Sequence, residues 1–355
     1  MRERPRDDLS IARTRTRRTR PYVTFLERDT ESYAANRDPE RPPYCRVHLY
    51  RDREQLERLH SLDIRTADLV IVGSCVPDGV AIVDIVLRAA GGCTAFYDLE
   101  APVTLAGLQR GNVTSVHRRQ IPVFDLYLSA TGGPTLQRLE REFGAKLARA
   151  LYCSVDPDVY CADSTIAKDC DLGYLGTYSE DRQTTLDELL IAPARMWTEG
   201  RFLLAGAHYP DRVRTPPNVT RISHLTPSAH RRFYNRQRFT LNVTRRDMAA
   251  AGYSPSVRLF EAAACGTPIV SDDWPGLRTL FAPGRDILIA KDSRDVLGYL
   301  THLPDVERAR IGSCAQRRVL AAHTSLHRAM QLEEYVAQAG GGARASALQG
   351  MQRPA

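Results

Sequence analysis

The chain has 355 residues, 43% of them hydrophobic and 26% charged, which is enough for two ordinary cores. It has no apolar run near the roughly 18 residues a membrane span needs. The formal net charge is +7, but eight arginines against three acids in the first twenty residues carry +5 of it. The body is close to neutral, so a basic face for nucleic acid is not indicated, although the tail could touch an anionic membrane surface peripherally. The eight cysteines are scattered, with no C-x-x-C pair, which argues for buried thiols in a reducing cytoplasm rather than a zinc site.

In chain order, residues 1–20 form a basic tail expected to be disordered. With no apolar core, it does not read as a secretory leader. From residue 22, short apolar runs alternate with helical patterns. Strands are predicted at Tyr22–Leu26, Val47–Tyr50, Leu69–Val72, Thr94–Tyr97 and Leu126–Leu128, with helices over 53–61, 78–90 and 134–143. Val155–Asp169, with Pro157 and several aspartates, reads as a crossing segment. Beyond it, strands are predicted at Leu172–Leu175, Phe202–Ala205, Val219–Ile222, Phe239–Leu241, Ile269–Val270 and Ile287–Ile289. Helices are predicted near 181–195, 226–236, 255–264, 292–302, 305–322 and 325–337. Strands spaced by helices argue for parallel sheets covered on both faces. The fold class is therefore α/β, with two Rossmann-like domains at 21–150 and 151–338 and a cleft between them. A glycine-led tail over 339–355 is expected to be disordered.

In open parallel sheets, ligands sit beyond the carboxyl ends of the strands, where helix N-termini point amides at anions. Three strand ends in the second half carry suitable chemistry. GYLGTYSEDRQ offers Thr177 and Arg182, and LNVTRRDM offers Asn242, Thr244 and Arg245. SPSVRLFEAAACGTPIVSDDW offers Ser254 as an N-cap, Pro255 at the first helical position and Ser256 as a second hydroxyl. Together they suit a diphosphate. Glu261 stands two turns into that last helix among small and apolar residues. It either forms a surface pair with Arg258 at i,i+3 spacing or serves a site. Asp272–Asp273 read best as caps of the next helix. No G-x-G-x-x-G, P-loop or G-x-S-x-G motif occurs, so nicotinamide dehydrogenase, P-loop and serine hydrolase readings lack support.

These segments, with RFLLAGAHYP, APGRDILIA and HTSLHRAMQLEE, resemble the C-terminal domain of GT-B glycosyltransferases, in the family's order over roughly 150–338. The resemblance is to the spore-maturation-type (CgeB-like) branch of retaining enzymes. ADLVIVGSCVPDGVA, TAFYDLEAPVTL and FDLYLSATGGPTLQRLE extend it into the first half. It implies that Glu261 binds the ribose hydroxyls of a UDP-, GDP- or dTDP-sugar donor. The amides near Ser256 and Val257 would face the diphosphate, with Arg182 and, by position, Arg245 beside it. It implies no cofactor and no metal. Related enzymes often carry a second glutamate where Tyr253 stands here. The first domain would hold the acceptor, which could be a glycan, a lipid-linked sugar or a small molecule. Asp98 and Glu100 at a strand end are candidates to orient or deprotonate its hydroxyl, or else cap and pair locally. His117 and His224 are weaker candidates. Family members open with a strand, a Gly-rich loop and a helix that the basic tail does not resemble, so the first domain is expected to lack its first strand–helix unit. Three readings follow: a sugar transferase, a catalytically impaired relative that binds sugar nucleotide or a partner, and a sugar-nucleotide epimerase.

Overall fold

The computed structural model describes residues 22–31, 42 and 44–340. The basic tail and all but the first two residues of the glycine-led tail lie outside them. The chain forms two compact units, one comprising residues up to Tyr152 together with those from Leu326, the other spanning Cys153–Ser325. The sequence reading carries the second domain to residue 338; by its contacts, the chain leaves the second unit after Ser325.

In the first unit, β1 (Thr24–Arg28) and β2 (Arg46–Tyr50) form a parallel pair. There follow α1 (Arg53–Thr66), β3 (Leu69–Gly73), α2 (Gly79–Ala89), β4 (Cys93–Asp98), α3 (Ala101–Gln109), β5 (Leu126–Ser129), α4 (Pro134–Phe143) and β6 (Ala148–Ala150). β3 to β6 pair in that order, all parallel. Alternation along the strands sorts the side chains onto two faces. Val72, Phe96 and Tyr127 pack with the helices α1 to α4, while Ala95, Tyr97, Leu126 and Leu128 face the other way. The second face is covered by the last helix of the chain, through Leu332, Tyr335 and Val336.

The second unit contains β7 (Cys170–Leu175) and α5 (Glu180–Leu186), which runs through a π-helical stretch into α6 (Ala192–Met196). β8 (Phe202–Ala205), β9 (Val219–Ile222), α7 (Pro227–Asn235), β10 (Gln237–Asn242), α8 (Arg246–Ala251) and α9 (Val257–Ala264) come next. β11 (Ile269–Ser271), α10 (Leu277–Leu280), β12 (Leu288–Ile289), α11 (Ser293–His302) and α12 (Asp305–Ala322) complete it, and α13 (Ser325–Ala339) returns to the first unit. The six strands run parallel in the order β12-β11-β10-β7-β8-β9. This is the doubly wound order, in which the direction of strand addition reverses between β7 and β10. The sheet is buried on both faces, with Leu172, Tyr174, Phe239, Leu241 and Val270 at its centre.

The two sheets differ at one place. In the second unit β7 separates β8 from β10. In the first, β1 pairs only with β2 and β3 only with β4 among the described residues. Ile71 of β3, an edge strand of the four-stranded sheet among the described residues, is 42% exposed. No helix of the described residues is long and apolar enough to cross a membrane, and no disulfide joins any of the eight cysteines.

Candidate functional site

The strand reversal in the second unit brings together the ends of β7 and β10 and the start of α9. Helix α9 begins two residues later than the sequence suggests. Its N-cap is Ser256, whose hydroxyl accepts from the Arg258 amide at 3.3 Å. Ser254 is buried, and its hydroxyl contacts Met248 Sδ at 3.7 Å. Ser256 and Val257 are half-buried, which leaves the first amides of the helix near the surface. The residue before Ser254 is held by a turn: Tyr253 adopts a left-handed φ of 49°, and its amide donates to Pro275 O at 2.7 Å. Such a backbone costs a non-glycine residue on the order of 1 kcal/mol or more and concentrates at functional sites.

Arg258 is the residue the sequence reading undervalued. Both it and Glu261 are only 5% exposed, so no surface ion pair forms between them. The Arg258 guanidinium donates from Nε to Leu175 O at 2.5 Å and from Nη1 to Asn242 Oδ1 at 3.0 Å, and lies 4.8 Å over the Tyr174 ring. It thereby clamps the ends of β7 and β10 at their point of reversal. The signal available in sequence was an arginine in the first turn of a helix whose other residues, Glu261 apart, are apolar. Space for it depends on Gly176, where a Cβ would sit 2.8 Å from Arg258 Nη2 and 2.5 Å from the Tyr174 hydroxyl. That hydroxyl is buried and has no hydrogen-bond partner among the described residues.

The flanking residues complete the rim. Thr177 is half-buried, and its carbonyl accepts from Arg182 Nη2 at 2.5 Å, while Arg182 Nε is buried with no partner among the described residues. Arg245 Nε pairs with Asp181 Oδ2 at 3.2 Å. Burial raises the Asp181 carboxyl, but the Ser179 hydroxyl and Arg245 outweigh it and hold the group below its usual range. Asp272 does not cap the next helix as expected. Its oxygens accept from the Thr244 amide and hydroxyl at 3.0 and 3.1 Å, tying the end of β11 to that of β10, and burial raises its carboxyl. Asp273 pairs instead with Arg278 at 2.8 Å.

Glu261 lies one turn deeper. Its Oε2 accepts the Tyr234 hydroxyl of α7 at 2.8 Å, and His230 Nδ1 stands 3.8 Å away. Thus the residues expected from sequence at a donor site, Thr177, Arg182, Arg245, Ser254, Ser256, Val257 and Glu261, all belong to the second unit. Among the described residues no group of three or more His, Cys, Asp or Glu side chains is arranged to hold a metal.

The first-unit candidates fare differently. Asp98, expected as a base facing a cleft, is 0% exposed. It accepts from the Tyr127 hydroxyl at 2.7 Å, the Glu100 amide at 3.0 Å and the Thr104 hydroxyl at 3.1 Å. Burial raises its carboxyl, and a group enclosed this way has no surface to offer an acceptor. Asp98 is therefore an internal tie between β4, β5 and α3. Glu100 stands half-buried at the N-cap position of α3, with no capping bond from its side chain. His117 Nδ1 accepts from the Arg119 amide in a local turn, and His224 is exposed beyond β9.

Residues 182–334 match the glycosyl transferase-like family. Among solved structures, sucrose-phosphate synthase from Thermosynechococcus elongatus superposes with a TM-score of 0.60 and 14% identity, covering 89% of this chain and 88% of its own. HepE from Anabaena, solved with UDP and glucose, gives a TM-score of 0.63 and 14% identity over 83% of this chain and 86% of its own. The pneumococcal O-GlcNAc transferase GtfA, solved with UDP and GlcNAc, gives 0.55 and 11% identity over 82% and 61%. No curated protein matches the chain. The fold is that of GT-B glycosyltransferases, and the glycosyltransferase domain carried largely by the second unit makes the chain an enzyme of the transferase class.

Proposed function

We propose that the protein moves a sugar from a nucleotide-sugar donor to an acceptor with retention of configuration, as a spore-maturation-type (CgeB-like) member of the GT-B enzymes. The observation that carries this reading is the meeting of β7, β10 and the start of α9 at the sheet's reversal point, with Arg258 clamping them. Ligands of open parallel sheets bind there. Glu261 takes the ribose hydroxyls, which are donors suited to a carboxylate. The amides at Ser256 and Val257, with Arg182, Arg245 and the Thr177 hydroxyl, take the diphosphate. As the glycosidic bond breaks, negative charge gathers on the leaving diphosphate. A helix N-terminus and guanidinium groups already in place stabilise that charge without reorganising. The UDP bound by HepE and by GtfA favours a UDP-sugar over GDP- and dTDP-sugars. Glu100 is the remaining first-unit candidate for orienting the acceptor hydroxyl of a glycan, lipid-linked sugar or small molecule. A cytoplasmic site of action fits eight cysteines without a disulfide.

A second reading, a catalytically impaired relative that binds sugar nucleotide, is favoured by Tyr253 in place of a second glutamate. One experiment separates the two. A thermal-shift panel of UDP-, GDP- and dTDP-sugars is followed by an assay for nucleoside diphosphate release with acceptors or water. The transferase reading expects stabilisation by one donor and turnover. Glu261→Ala should weaken donor binding by on the order of 2–3 kcal/mol. Stabilisation without turnover selects the second reading, and no stabilisation by any sugar nucleotide rejects both.

A further inference from the structure

A carboxylate inside a helix buried from Arg258 to Ala264 must be held by donors, and the donor to Glu261 comes from a different element. Tyr234 is 0% exposed and near the end of α7. Its hydroxyl donates to Glu261 Oε2 at 2.8 Å, and its own carbonyl accepts from the Thr267 hydroxyl at 2.8 Å. The ring meets Phe233 edge-on at 5.7 Å. The next residue, Asn235, ties the end of α7 to Arg231 O and Cys161 O at 2.9 and 3.0 Å. Tyr234 is thus fixed at both ends, and burial together with the Glu261 charge keeps its phenol protonated, hence always a donor.

We propose that Tyr234 is a positioning residue: by holding Oε2, it fixes the plane of the Glu261 carboxylate so that Oε1 is presented to the ribose hydroxyls, and so it sets the site's preference for ribose. An unheld carboxylate would rotate about its last bond and share its lone pairs between orientations. A donor anchored in the core removes that freedom before the nucleotide arrives, which is how a recognition group gains selectivity. The inference rests on the reading of Glu261 as the ribose ligand.

The test measures dissociation constants of the full chain for UDP and for 2′,3′-dideoxy-UDP by calorimetry. Wild type should prefer UDP by roughly ten- to a hundredfold, the range for hydrogen bonds to a charged group. Glu261→Ala should bring that ratio close to one. Tyr234→Phe should cut the ratio at least about fivefold while leaving the affinity for the dideoxy nucleotide within about twofold, as lost pre-organisation requires. A merely structural tyrosine would weaken both nucleotides alike. Glu261→Gln supplies a second readout that keeps Tyr234 intact. With Tyr234 donating to the amide oxygen, the amide NH2 must face the ribose, where it can only donate to the hydroxyl oxygens; the charge-assisted bonds are lost and the ratio should fall at least about fivefold. If Tyr234→Phe, or Glu261→Gln, retains the wild-type ratio while Glu261→Ala loses it, Tyr234 does not position the carboxylate and the ribose reading stands. If wild type binds both nucleotides equally, the ribose reading fails and takes the inference with it.

Discussion

Asp98 and Glu261 are both buried carboxylates, and each accepts from a buried tyrosine hydroxyl. Asp98 is enclosed by three donors within its own neighbourhood and serves the packing of β4, β5 and α3. Its pKa is raised above the unfolded value, of about 4, first by burial. A carboxyl raised on folding binds more protons in the native state, so its contribution to stability is greatest below the unfolded pKa and is lost as pH rises through the folded one. Asp98→Asn, which keeps an acceptor for the Thr104 hydroxyl and the Glu100 amide, should therefore flatten the fall of unfolding free energy with rising pH above about 4. Urea denaturation across that range measures it; an unchanged slope would remove Asp98 from the linkage. Residue chemistry of this kind was only half legible. The spacing of Arg258 and Glu261 announced a pair, because helix geometry puts i and i+3 side by side. Burial overrode the spacing: each found a better partner on a neighbouring element, Arg258 on strand ends and Glu261 on α7. Neither partner is local in sequence.

At the scale of elements, periodicity recovered most of the strands and long helices, since apolar runs and helical stripes report on local geometry. The second-unit strands at 202–205 and 219–222 fall where the sequence puts them. What escaped had no such pattern. β6 is a three-residue Ala-Arg-Ala strand that exists only because β5 offers it a partner. Helix α3 is apolar on most sides and lacks a polar stripe, and α8 has six residues. The start of α9 shows a finer limit. Two serines flank a proline, each a fair cap on its own chemistry, and only the burial of Ser254 beside Met248 leaves the role to Ser256. The choice matters for the site, because it sets which amides face outward. Ser256→Ala should cost about 1 kcal/mol and lower the melting temperature more than Ser254→Ala, as differential scanning calorimetry would register. The reverse order would restore the earlier cap.

For the whole molecule, the sequence foretold two units built on parallel sheets. It did not foretell where the chain changes units. Because α13 belongs to the first unit, the second is one uninterrupted stretch from Cys153 to Ser325 set inside the first. Its two ends lie side by side, since Val155 pairs with Thr324 as an isolated bridge and the Ser325 amide donates to Val155 O at 2.9 Å. A segment with adjoining ends and its own core has the form of an inserted cassette, and such cassettes tolerate excision because cutting them out opens no loop. Residues 153–325 expressed alone should melt cooperatively and bind the donor nucleotide with nearly the affinity of the full chain. A non-cooperative melt of that fragment would show that the surrounding unit holds it together. If it folds, nucleotide recognition becomes a transplantable property, open to study free of the unit that encloses it in sequence.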